Sequence, residues 1–138
     1  MTKILLSVIA ILASALVSAG RLDEVKNSQS PAMNQLPLNY QSASRNIKSA
    51  LAKCYGYTPI ITSSTYPDLG VIEVEFFQAS SEVVLIAAFE LRQSGKETSE
   101  LSTWAPKPTF GDGYSFLSRT SAMMATKGSA VDCQEAGF

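Results

Sequence analysis

The chain has 138 residues, with 11 basic and 12 acidic side chains and no histidine. Without an imidazole there is no Ser-His-Asp or Cys-His nucleophile system, no imidazole general base and no histidine zinc site, which removes most hydrolase designs. A net charge of −1, with the bases scattered and never in a run, gives no electrostatic footprint for nucleic acid or an anionic membrane surface.

The N-terminus reads as an export signal. Met1-Thr2-Lys3 supplies a positive charge, Ile4 to Val17 is apolar apart from Ser7 and Ser14, and Val17-Ser18-Ala19 offers the small or modest side chains that a signal peptidase accepts. An apolar run of roughly 14 residues is short of the about 20 that a spanning helix needs. The expectation is a signal peptide over 1–19, cut after Ala19, and a periplasmic or secreted protein without a stable membrane anchor. Gly20 stands where a lipoprotein would carry its acylated cysteine, and position 20 has no thiol to modify. Cleavage removes Lys3 and takes the net charge from −1 to −2. Residues 20–37, GRLDEVKNSQSPAMNQLP, are polar with two prolines and read as a flexible leader. Residues 38–138 then form a single domain, too short for two cores.

From Asn39 to Tyr55, apolar residues at Tyr40, Ala43, Ile47, Ala50, Leu51 and Cys54 recur at helical spacing, with Arg45, Lys48 and Lys53 on the other side. Asn39 is a natural N-cap and Gly56 a natural stop. After Gly56 the period changes to two. TPIITSSTY leads into the turn PDLG, and VIEVEFF alternates Ile72, Val74 and Phe76 with Glu73, Glu75 and Phe77. EVVLIAAFELR is apolar on both sides and reads as a central strand with Val83, Leu85, Ala87, Phe89 and Leu91 toward the core. QSGK makes a hairpin turn, and ETSELSTW reads as a polar edge strand ending at Trp104. After the loop APKPTFGDG, Phe116, Leu117, Thr120, Met123, Met124 and Lys127 fall at helical spacing, with Asp112 as cap and Gly128 as stop. The predicted architecture is a two-layer α+β domain: a helix, a four-stranded antiparallel meander and a second helix.

Cys54 and Cys133 are the chain's two cysteines. In an exported protein an intramolecular disulfide is the expected outcome, tying the front of the domain to its tail. No Cys-x-x-Cys spacing supports a redox or metal pair.

No phosphate-binding glycine loop occurs, and the short GDG at Gly111 to Gly113 reads as a turn. No cofactor or metal is called for. Glu73 and Glu75 fall on one side of a strand about 7 Å apart, a separation open to acid-base hydrolysis of glycans. The same residues, with Phe77, Glu90 and Trp104, form a candidate binding face that mixes carboxylates and aromatics, a combination suited to protein recognition. Met123 and Met124 offer a third use, as lining for an apolar ligand carried between helices and sheet.

The order of signal, basic amphipathic helix ending in cysteine, SSTYPDLG turn, alternating strands and late cysteine resembles small uncharacterised periplasmic and lipoprotein-like proteins of Gram-negative bacteria, over about Asn39 to Cys133. The resemblance implies an exported domain and brings no catalytic residue with it. The expected function is therefore non-enzymatic binding of an envelope or secreted protein, as an inhibitor-like or accessory module.

Overall fold

In a computed structural model of the protein, residues 24–27, 30–55, 59–79, 83–105 and 114–136 are described. The chain divides into two compact units, Met1–Ser30 and Pro31–Phe138. In the first, residues 24–27 form a helical turn. The second is the α+β domain, built from β1 (Ala32–Leu36), α1 (Tyr40–Cys54), β2 (Pro59–Tyr66), β3 (Val71–Ala79), β4 (Val83–Gln93), β5 (Ser99–Trp104) and α2 (Tyr114–Lys127). All five strands join one antiparallel sheet in the order β1-β5-β4-β3-β2.

The meander β2 to β5 follows the expected order, but the sheet has five strands rather than four. The added strand, β1, lies inside the stretch read as a flexible leader. Its sequence AMNQL buries Ala32 and Leu36 and leaves Met33 and Gln35 outside, so only two inward apolar side chains mark it. Its stability comes from pairing with β5, Ala32 opposite Thr103 through Leu36 opposite Ser99. β5 is accordingly an inner strand and not the edge that its polarity suggested. Ser99, fully buried, meets its hydrogen-bonding need by donating from Oγ to the carbonyl of Leu38 at 2.9 Å.

α1 forms as its spacing predicts. Asn39 accepts a hydrogen bond from the Ser42 amide at 2.8 Å, satisfying one of the unpaired donors of the first turn. The stripe Tyr40, Ala43, Ile47, Ala50 and Leu51 is buried. Gly56, the expected stop, lies outside the described residues; the last turn closes through the Tyr55 amide to the Leu51 carbonyl at 3.0 Å. α2 buries Thr120, Met124 and Ala125 and ends at Gly128, whose φ of 56° is left-handed. Its expected cap Asp112, and the side chains of Phe116 and Leu117, lie outside the described residues.

Both helices pack on one side of the sheet. Ile47 and Leu51 of α1 and Met124 and Ala125 of α2 share a cluster with Ile72, Val74, Phe76, Ala87, Phe89, Leu91 and Leu101. The Tyr55 ring meets Phe76 edge to face, with centroids 4.6 Å apart. Asn46 ties the helices by donating from Nδ2 to the Ala125 carbonyl at 2.8 Å. Lys53, exposed on the outer side of α1 as expected, also donates from Nζ to the carbonyls of Ser129 and Val131 at 3.0 and 2.8 Å. Beside it Cys54 and Cys133 form the disulfide, their Cα atoms 5.3 Å apart across 79 positions.

A bulge on β4 alters the expected core pattern. Phe76 pairs with Ala87 but the next residue, Phe77, pairs with Leu85, leaving Ile86 as an extra residue. Ala87, Phe89 and Leu91 face the helices as expected; Ile86 joins that cluster, while Leu85 passes to the opposite face with Phe77. Val83, expected in the core, is 52% exposed.

Candidate functional site

The sheet gathers the candidate residues on the face turned away from the helices. On β3, Ile72, Val74 and Phe76 point into the helix-side core, so alternation sends Glu73, Glu75 and Phe77 the other way. Antiparallel register then sets Glu73 opposite Glu90, Glu75 opposite Ala88, and Ala88 opposite Trp104. Glu73, Glu75, Phe77, Glu90 and Trp104, spread over three strands, share one surface.

The face is not uniform. Phe77 and Trp104 are 7% and 8% exposed, and Val71, Leu85 and Ala88 are buried as well, none of them part of the helix-side cluster. Glu73, Glu75 and Glu90 are part-exposed. The accessible chemistry is therefore carboxylate, and the two aromatics lie within the packed part of this face.

Two further residues belong here. Glu100 is on the same face of β5 as Trp104, and Arg92 is opposite it on β4. Arg92 Nη2 approaches Glu90 Oε1 at 3.1 Å, and Gln35 of β1 donates to Glu100 Oε2 at 2.9 Å. Alternation within SELSTW puts Glu100 in phase with Trp104; its nearness to Glu90 and Arg92 follows only from strand register. The described strands thus bring four carboxylates and one guanidinium to this face.

Glu73 and Glu90 are directly opposed, with Cα atoms about 4.5–5.5 Å apart. Like charges in that relation repel across the ladder, and Arg92 offsets part of the cost from the Glu90 side. Among the described residues no cluster of three or more Cys, Asp or Glu is arranged to hold a metal ion. Met124 is buried in the helix-side core and Met123 packs against it.

No protein-family model matches the chain, and comparison with curated proteins and with solved structures returns no match.

Proposed function

We propose that the protein is an exported, non-enzymatic module that binds an envelope or secreted protein, using the acidic sheet face against a basic segment of that partner. One observation carries the reading: Glu73 and Glu90 oppose each other, with Glu75 and Glu100 close by. Such an arrangement concentrates negative charge on one face of the sheet, the potential that a basic segment of a partner complements. Export is supported by the N-terminal pattern and by the Cys54–Cys133 disulfide, which persists in oxidising compartments. Among the described residues no helix is long and apolar enough to cross a membrane.

The test is capture from envelope extract under oxidising conditions, comparing the natural chain with a Glu73→Gln, Glu75→Gln, Glu90→Gln variant. The expected result is a stoichiometric protein partner that is lost from the variant and released by moderate salt. Equal capture by both would overturn the role of this face. Glycan turnover by the natural chain, abolished by Glu75→Gln alone, would replace the binding reading with the hydrolase one.

A further inference from the structure

The sheet has two edges, and they are treated differently. β1 is five residues long, lies between Pro31 and Pro37, and has α2 packed beside it. Short length, flanking prolines and a covering element are the usual means of blunting an edge. β2 has eight residues, PIITSSTY, with no charge among them. Thr62, Ser63, Ser64 and Thr65 are exposed on both faces of the strand, so α1, which reaches β2, leaves these four residues uncovered. Two of its large apolar side chains are also exposed, Ile60 at 37% and Tyr66 at 43%.

We propose that β2 pairs with β2 of a second copy, antiparallel about a two-fold axis through Ser63, making one continuous ten-stranded sheet. The symmetry of the strand selects both the partner and the register. With Ser63 opposite its own counterpart, Ile60 of each copy faces Tyr66 of the other, Ile61 faces Thr65, and Thr62 faces Ser64. Each exposed apolar residue thereby gains a cross-strand neighbour of the aromatic and β-branched kind that stabilises sheets. Pro59 and Pro67 lie equally far from Ser63 and oppose each other just beyond the paired residues. Neither has an amide hydrogen, so the ladder ends at the same point on both sides. The interface is a self-complementary one, as a two-fold dimer demands.

Charge does not oppose the pairing. Glu73 and Glu75 on β3 are separated from their copies by three strand spacings, about 14 Å. That exceeds the Debye length of about 8 Å at physiological ionic strength, so their repulsion is largely screened. A ladder of seven residues, about 23 Å long, is a small contact, and the dimer it forms depends on concentration.

Sedimentation equilibrium on the full chain, produced in an exporting host with its disulfide intact, tests this from micromolar to millimolar concentration. The mass is expected to rise toward twice the monomer value. Ser63→Lys, which sets two ammonium groups face to face on the axis, is expected to weaken dimerisation at least about tenfold, with circular dichroism unchanged. Ser63→Cys introduces no charge and keeps the test open if the lysine disturbs β2. It is expected to cross-link two copies under mild oxidation, whereas Lys96→Cys, in the β4–β5 turn, is not. A chain that stays monomeric throughout, as it would if β2 served only an extended segment of another protein, overturns the proposal. So does a dimer that Ser63→Lys leaves intact.

Discussion

Asn46 occupies the space that a side chain on Gly128 would need. A Cβ built at Gly128 lies 2.7 Å from Asn46 Oδ1 and 3.3 Å from its Cα, and the Gly128 backbone is left-handed. Two costs therefore add in Gly128→Ala: about 1–2 kcal/mol for the backbone conformation and a further amount for pushing α1 and α2 apart. Urea unfolding is expected to show a loss of at least about 2 kcal/mol. Asn46→Ala alone removes the bond to the Ala125 carbonyl and costs about 1 kcal/mol. The double variant is expected to lose less than the sum, because the contact that couples the two sites has gone.

The disulfide closes a loop of 79 positions between the end of α1 and the tail. In the chain-entropy account a loop of that length stabilises by about 4–5 kcal/mol through restriction of the unfolded chain. Replacing both Cys54 and Cys133 by serine is expected to lower the thermal midpoint by well over ten degrees, and reductant to do the same to the natural protein but not to the variant. An unchanged midpoint would mean that Lys53 and its two carbonyl partners already hold the tail.

Local rules carried much of the fold into view. α1 was legible because a 3-4 apolar repeat and a capping asparagine agree over fifteen residues, and the turn before β3 because Pro67 and Gly70 suit its geometry. The disulfide was legible from two cysteines and an N-terminal pattern that reads as an export signal. β1 was hidden because its hydrogen bonds go to a strand some 65 positions away and only Ala32 and Leu36 turn inward. The bulge at Ile86 was hidden too: EVVLIAA is apolar on both faces, leaving no alternation for the extra residue to interrupt. At the candidate site, a period of two put Glu73, Glu75 and Phe77 together. Their meeting with Glu90, Glu100 and Trp104 depends on register, and the burial of both aromatics on tertiary packing.

That hidden strand yields a direct test. Leu36 is buried in the helix-side core, so Leu36→Ala is expected to cost about 2–5 kcal/mol. A truly flexible leader would tolerate the change to within about 0.5 kcal/mol. Equilibrium unfolding separates the two outcomes.

Thr103 presents the opposite case, a change expected to help. Its Oγ1 is buried and finds no hydrogen-bond partner among the described residues, although the side chain sits in the middle of the sheet between Ala32 and Phe89. Valine has nearly the same shape and an equal preference for strands. Thr103→Val is expected to stabilise the domain by about 1 kcal/mol, read as a higher urea midpoint at unchanged slope. A loss of stability would reveal a hydrogen bond to that hydroxyl.

Glu73 and Glu90 allow binding to be tested apart from folding. Glu73→Gln keeps the shape and removes one charge of the opposed pair together with the interactions that carboxylate makes, so the stability of the free protein is expected to change by no more than about 1 kcal/mol. Glu90→Gln removes the carboxylate that Arg92 contacts and is expected to stay within the same range. If the face recognises a basic segment, the same substitutions weaken capture of that partner while the fold is kept. Measuring thermal midpoint and partner retention on both single variants distinguishes this from a solvated surface. In that case retention would not change.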